Sequence, residues 1–589
     1  MKSDFGFVRV AAAVPMMRVA DAEFNKREIK KQIAEAIEEG VEVICFPELS
    51  TVGYTCADLF FTQKLQQSSL AALEDICAFT RGKSIIVLVG APLKVDNNLF
   101  NCAFVMTDGD VVGVVPKVNL PNTGEFYEKR WFTSGRATLE HVGGKLAPRI
   151  PTIELWCGDV PFGPDLLFNT RNYCFGIEIC EDLWSPLPPS TQLAIQGAEL
   201  IFNLSSSNCI TGKNSFRRQM ILQQSARVHC AYVYTSSGVG ESSADVVFSG
   251  STYIAENGDL VAEGDRFLRS SSMIIQEVDV ERMRTDRQRN TNFTKDQHGH
   301  YRKINVAPIE QEAGEHTEPL HRTFSTSPFL PSKENEYEYC GDVIAIQTSG
   351  LGRRWEHTQA DALLVGVSGG LDSTLALLVA VMTADQLGYD RKRVIGVTMP
   401  GFGTSSRTYD NAMALMTQLG ISMHEVSIRD SVTQHLQDIN HSLDDHDITY
   451  ENAQARMRTM ILMDMANKYN GLVVGTGDMS ELALGWATYC GDQMSMYGVN
   501  AGIPKTLVRY MVRYMAENLF ADEIRRILLD IVDTPVSPEL LPTTESGDIA
   551  QVTEDHVGPY ELHDFFMYYL LRFGFTREKV AYMATLAFE

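Results

Sequence analysis

The chain has eleven cysteines, spread from Cys45 to Cys490, but no C-x-x-C pair and no cysteine cluster at metal-ligand spacing. The usual signatures of a redox motif or a zinc site are therefore missing, and reduced thiols in a cytoplasmic protein are expected. Nowhere does an apolar run reach the roughly 18 uncharged residues that span a bilayer. The opening "MKSDFGFVRVAAAVP" has an acidic residue at position 4 and lacks both a secretory apolar region and a small-residue cleavage site. Basic residues are also short, 51 Lys and Arg against 75 Asp and Glu, leaving a net charge of -24. Such a field repels phosphate backbones and anionic membranes, so neither nucleic acid nor membrane is an expected partner. No internal repeat is evident.

What is present is a folded, enzyme-sized chain. Its 589 residues are too many for one core and argue for two large domains or three smaller ones, with 44% hydrophobic and 9% aromatic residues. Residues 1–280 alternate apolar runs such as "FVRVAAAVP", "EVICFPE", "SIIVLVGAPL", "NYCFGIEIC", "AELIFNLSSS" and "AYVYTSSG", read as strands, with amphipathic segments. "KREIKKQIAEAIEEG" reads as a helix stopped by Gly40, and the "TDGD" and "ENGD" turns mark hairpins. Residues 281–331 are polar and rich in Thr, Ser, His and Pro, and read as a linker. Residues 332–589 open with a helix, after which "ALLVGVSGG", "RVIGVTMPG" and "GLVVGTGDMS" supply fully apolar strands suited to a parallel sheet buried on both faces. The fold class is α/β throughout.

In "LLVGVSGGLDSTLALLV" a strand delivers Ser368, Gly369 and Gly370 to a tight turn before a helix. Its free backbone N–H groups and dipole make an anion site, which the glycines let a phosphate approach. Asp372 is the odd member: a carboxylate among phosphates needs a cation between them, which points to Mg²⁺. A plain strand-to-helix turn capped by Asp372 or Ser373 is the alternative. No Lys follows the glycines, so this is not a Walker A loop.

The loop resembles the S-G-G-x-D-S loop of the N-type ATP pyrophosphatases. With "YENAQARMR", "VVGTGDMSELALGWATYCGDQMS", "AGIPKTLV", "PVSPEL" and "GPYELHDFFMYYLLRFGF", the resemblance narrows to the NAD synthetases and spans most of residues 335–589. It implies a doubly wound parallel-sheet ATP pyrophosphatase domain, of the adenine nucleotide alpha hydrolase-like type. ATP would be held by Gly366, Val367, Ser368, Gly369, Gly370, Leu371, Asp372, Ser373 and Thr476. Deamido-NAD would be held by Asn452, Glu481, Trp486, Ala487, Thr488 and Tyr489. Mg²⁺ would lie on Asp372 and Glu481, although a Glu at that position also suits a helix cap. Lys505 would neutralise departing pyrophosphate.

Three pieces of the front domain each end a strand in a chemically loaded residue: "ICFPELS" in Glu48, "VVPKVNLP" in Lys117, and "FGIEICEDLW" in Cys180. A lone Cys is usually a small core hydrophobe. Together, in this order, the pieces resemble the nitrilase superfamily, which implies an αββα sandwich and a Glu, Lys, Cys triad. Cys180 would be the nucleophile, favoured as thiolate by Lys117, and Glu48 the general base. Lys117 and the backbone N–H of Glu181 would face the oxyanion, with Glu125 orienting Lys117. "NLSSSNCITGKNSFRR" resembles the glutamine-binding segment of glutaminase domains attached to NAD synthetases, which puts Ser207, Lys213 and Glu181 at the glutamine head group. There is one departure: "LPNTGEF" carries Thr123 where such domains usually have Tyr.

The combined expectation is that ammonia released from glutamine amidates an ATP-activated deamido-NAD, with AMP and pyrophosphate as products. Free ammonia is mostly ammonium at neutral pH, so a sequestered passage between the sites would serve the chemistry. Small molecules and further copies of the chain, in a homo-oligomer, are the implied partners. GMP synthetase, asparagine synthetase and tRNA thiolation share the ATP chemistry; the first two use other glutaminases, and the acidic balance speaks against tRNA. A front domain acting only as an assembly scaffold would need a damaged triad, and all three residues are present. Relatives generally continue beyond "REKVAYMATLAFE" with a basic segment, so the expectation here is a missing C-terminal tail and weak deamido-NAD affinity.

Overall fold

A computed structural model of the protein describes residues 5–142, 145–293, 301–307, 320–535, 540–541 and 553–588. The chain forms two compact units, Met1–Thr323 and Phe324–Glu589.

The first unit is built on two sheets. One has six strands in the order Ser272–Asp279, Phe7–Val14, Val43–Cys45, Ile86–Val95, Asn98–Thr107, Asp110–Pro116. The other has seven: Asp259–Glu263, Thr252–Glu256, Ala231–Ser236, Leu200–Ser205, Cys174–Ile179, Leu166–Asn169, Arg302–Asn305. The strands of the first sheet show why its sequence lacks polar alternation. Val8, Val10, Ala12, Val43, Cys45, Ile86 and Leu88 join Phe175, Ile177 and Ile179 in the core shared by both sheets. The intervening Ala11, Ala13, Ile44, Val87 and Val89 face the other way, onto Ile29, Ile33, Leu73 and Ile76 of the helices Ala22–Glu38 and Gln63–Phe79. Side chains alternate between two cores, so both parities are apolar. Helix Lys213–Arg227 covers the second sheet with Ile221, giving the αββα order of layers.

Local signals end these elements where expected. Gly40 leaves the first helix at φ 65°, and the hairpin turns place Asp108 and Gly109, and Asn257 and Gly258, at positive φ. Parts of the 281–331 segment, read from sequence as linker, carry structure of the first unit, which runs to Thr323. Val280–Arg289 is helical, and Arg302–Asn305 adds a parallel edge strand beside Leu166–Asn169. Arg302 fixes that strand through a fork of bonds to both Asp165 oxygens, 2.6 and 2.7 Å. A polar edge strand held by charge carries no apolar period by which to recognise it. Further on, Arg322 pairs with buried Glu256.

The second unit carries a five-stranded, all-parallel sheet in the order Ser422–Glu425, Val394–Thr398, Ala362–Gly366, Gly471–Gly475, Tyr497–Gly498. Leu363 and Val365 face helices Leu371–Leu387, Lys505–Asn518 and Asp522–Val532, while Ala362 and Leu364 face Arg429–Asp438 and Ile448–Lys468. Connections run to either side of Ala362–Gly366, so the order reverses at its carboxyl end, where open α/β sheets place ligands. Of "PVSPEL", residues 536–539 lie outside the described residues.

Candidate functional site

The first unit brings Glu48, Lys117 and Cys180 to one place. Glu48 follows Val43–Cys45, Lys117 follows Asp110–Pro116, and Cys180 stands between strand Cys174–Ile179 and helix Glu181–Trp184. All three are buried. Cys180 has φ 46° and ψ -98°, a conformation costing on the order of 1–3 kcal/mol in a residue with a Cβ. It is held there by its own N–H, which donates to Leu204 O at 3.0 Å and Asn203 Oδ1 at 3.1 Å. Lys117 Nζ lies 2.6 Å from Glu48 Oε1, which also accepts from Asn101 Nδ2 at 2.6 Å. Glu48 Oε2 is buried with no hydrogen-bond partner among the described residues, leaving it free to take a proton.

One expectation needs correction. Glu125 does not orient Lys117: it accepts a hydrogen bond from Asn208, and the second carboxylate on Lys117 is Glu128, 2.7 Å from Nζ and steadied by the Tyr54 hydroxyl at 2.7 Å. Lys117 does pull the Cys180 thiol toward the thiolate, as expected, but its pull is outweighed. Burial, then the charge of Glu48, pushes Cys180 up to about 12 against the opposing pull of Lys117. The ammonium is already shared between two acids. Burial likewise pushes Glu128 up to about 7. Glu128 was missed because its signal, a second acid three residues after Glu125, is no different from a solvated charge run.

Around this centre, Glu181 is half-buried, and burial raises its carboxyl. Lys213 Nζ donates to Asn208 Oδ1 and lies 5.3 Å from the Trp184 ring and 5.4 Å from that of Phe126. Ser207 is buried and accepts from Arg217 Nη2 at 3.1 Å. Thr123 is exposed, and its carbonyl accepts from Phe126 N at 3.1 Å.

In the second unit a cavity of about 540 Å³ opens at the carboxyl end of Ala362–Gly366. Its lining brings together Gly366, Val367, Ser368, Gly370, Leu371, Asp372 and Ser373 with Thr476, Asn452, Glu481 and Trp486, Ala487, Thr488 and Tyr489. Gly369 is set behind this lining at φ +87°, where an added Cβ would stand 2.1 Å from Thr408 O. The loop is drawn tight by Ser368 Oγ and Ser373 Oγ, 3.1 Å apart. Asn500, unsuspected from sequence, ties it to the neighbouring strand end by donating to Asp372 O at 3.0 Å and Thr476 O at 3.1 Å. Asn452 Oδ1 accepts from Tyr489 N at 3.1 Å, and Trp486 stacks on His556.

Asp372, Asp478 and Glu481 offer carboxylate oxygens within 4.8 Å of one another. Asp478 completes the set of two expected from sequence; it also caps its helix, accepting from Glu481 N at 2.9 Å. Lys505 does not stand free for a pyrophosphate. It is buried with Nζ 2.8, 2.6 and 2.9 Å from Asp372, Asp478 and Glu481. One ammonium among three acids leaves a charge deficit: burial, then Asp372, pushes Asp478 up to about 6 and Glu481 to about 8. Asp372 Oδ1 is buried without a hydrogen-bond partner among the described residues. Three hard oxygens, one of them orphaned, fit a divalent cation such as Mg²⁺.

Residues 9–288 match the family model for carbon-nitrogen hydrolases, and residues 343–579 that for NAD synthase. Over 98% of its length the chain is 37% identical to the glutamine-dependent NAD(+) synthetase of Mycobacterium leprae, covering 85% of that protein. It is 28% identical to the one of Thermotoga maritima, covering 98% of this chain and 90% of the other. A crystal structure of a glutamine-dependent NAD(+) synthetase from Cytophaga hutchinsonii aligns with 98% of this chain and 88% of that one, at 22% identity and a TM-score of 0.40. Among the described residues no helix is long and apolar enough to cross a membrane.

Proposed function

The chain belongs to the glutamine-dependent NAD(+) synthetases, a ligase family, and from that premise we propose how its residues divide the reaction. The first unit releases ammonia from glutamine. Glu48 Oε2 takes the Cys180 proton as the sulfur attacks the side-chain amide carbon, and Lys117 and the N–H of Glu181 receive the oxyanion. The proton returns to the departing nitrogen, which leaves as ammonia. Water then cleaves the thioester to glutamate and regenerates the thiol. Burial and the charge of Glu48 raise the resting thiol, so a base placed to take its proton suits the attack. Ser207, Lys213 and Glu181 hold the amino-acid head group; Thr123 contributes through its backbone, since its side chain faces solvent.

The second unit uses ATP. The phosphate loop Gly366 to Ser373, with Thr476, cradles the triphosphate on backbone N–H groups, and Asn452 with Trp486 to Tyr489 holds deamido-NAD. The nicotinate carboxylate attacks the α-phosphorus, pyrophosphate leaves, and ammonia displaces AMP to form the amide. Asp372, Asp478 and Glu481 would hold Mg²⁺, whose chemistry is to neutralise charge on the phosphates. Lys505 holds these three acids together when the cation is away. The eleven cysteines, none of them disulfide-bonded, support a reducing, cytoplasmic setting.

The observation that carries this reading is the meeting of Glu48 and Lys117, 69 residues apart in sequence, beside Cys180 in one unit while the other carries the phosphate loop. The test is a coupled assay of glutamine consumed against NAD formed. A ratio near one supports coupled use of the ammonia; glutamine turnover that is indifferent to ATP and deamido-NAD, with no NAD formed, overturns the reading.

A further inference from the structure

Arg217 lies on helix Lys213–Arg227 with 1% of its surface exposed, yet no carboxylate pairs with it among the described residues. A buried guanidinium without an anion is costly, and such groups are almost always paired. Its contacts are neutral: Nη1 donates to Ser251 Oγ at 3.0 Å, and Nη2 donates to Ser207 Oγ and to Asn208 O, both at 3.1 Å. Nε is buried with no hydrogen-bond partner among the described residues. The other buried arginine of this unit, Arg9, is satisfied by Glu277 at 2.6 Å. Arg217 is therefore short of an anion, and its contacts gather on the segment that carries Ser207 and Asn208.

The Ser207 contact has a direction. A hydroxyl that accepts from a guanidinium must aim its own hydrogen elsewhere, and a donor polarised by a cation suits a carboxylate. Lys213, one helical turn before Arg217, adds a second positive charge held by Asn208. We propose that Arg217 is a positioning residue for substrate selection: through Ser207 it sets a donor for the α-carboxylate of glutamine, so that amides lacking a free α-carboxylate are refused. This rests on the reading of Ser207 and Lys213 as the head-group site. Tyr234, whose ring lies 6.0 Å from the guanidinium carbon, is a further neutral neighbour of Arg217, while the carboxylates Glu125 and Glu181 bear on Lys213.

The experiment compares ammonia release from L-glutamine and from L-glutamine α-methyl ester, whose side-chain amide is unchanged, in the full-length protein. Wild type should strongly prefer glutamine. Arg217→Met and Arg217→Lys should lower that preference by about 10–100-fold, the worth of a hydrogen bond to a charged group, through the KM for glutamine and not through the rate on the ester. Ser207→Ala should do the same, and serves if the Arg217 variants fold poorly, with ammonium-dependent NAD synthesis reporting an intact second unit. Preference unchanged in the Arg217 variants but lost in Ser207→Ala overturns the role of Arg217 and leaves the head-group site standing. Preference unchanged in Arg217, Ser207 and Lys213 variants alike overturns both.

Discussion

Lys117 Nζ sits 2.7 Å from Glu128 Oε1 while it also contacts Glu48, so one buried ammonium serves two carboxylates. Its field at the thiol is correspondingly weakened. Glu128 raises the Cys180 thiol, after burial and Glu48. Glu128→Gln keeps an oxygen for Lys117 and Tyr54 but removes the charge. The pH profile of Cys180 alkylation by iodoacetamide should move to lower pH in this variant. An unmoved or upward-shifted profile would mean that Glu128 does not bear on the thiol.

Cys180→Ala removes the thioester route and nothing from the second unit. NAD synthesis from glutamine should fall to background, at least about 10³-fold. Synthesis from ammonium salts should persist and improve as pH rises and the NH₃ fraction grows. Equal glutamine-dependent rates in wild type and variant would remove the triad assignment.

Asp372→Asn is expected to abolish NAD synthesis with either nitrogen source while ammonia release from glutamine stays measurable, since it takes an acid from the cation site and nothing from the first unit. Lys505→Met leaves buried Asp478 and half-buried Asp372 and Glu481 without their counter-ion and should destabilise the second unit by ~3–5 kcal/mol, read as an earlier unfolding transition that added Mg²⁺ partly restores. Full synthesis by Asp372→Asn would count against the cation site.

Gly369→Ala places a Cβ 2.1 Å from Thr408 O at a φ of +87°, so the phosphate loop must shift. Loss of ATP-pyrophosphate exchange with retained glutaminase activity is the expected outcome. Gly388→Ala, also at positive φ but with nothing within 4 Å, is the control and should cost only about 1 kcal/mol of stability. Similar exchange rates in the two variants would show that the loop tolerates displacement.

Glu178 is buried, and burial pushes its carboxyl from 4.5 up to about 7 against the hydrogen bond from Tyr232. Between these values the folded state keeps a proton that the unfolded chain has released. The stability that the neutral acid contributes is therefore complete below about pH 4.5 and lost as pH rises to about 7, on the order of 3 kcal/mol. Denaturant midpoints from pH 5 to pH 8 should fall for wild type and fall less for Glu178→Gln. Parallel slopes would contradict it.

The sequence by itself determined the local elements and the chemistry they carry. Apolar runs bounded by turn residues gave the strands, Gly40 and the Asp-Gly and Asn-Gly turns gave their ends, the glycines between strand and helix gave the phosphate loop, and the resemblance to nitrilases pointed to Glu48, Lys117 and Cys180. These are signals a chain carries within a few residues. Tertiary structure alone decided which neighbours set the charge balance. Glu128 rather than Glu125 reaches Lys117, Asp478 joins Asp372 and Glu481, Lys505 is drawn into their midst, and Arg217 is buried with no anion partner among the described residues. The polar strand Arg302–Asn305 pairs only because a sheet edge and Asp165 await it. Burial and distance govern the strength of every charge, and both arise from packing between segments far apart in sequence.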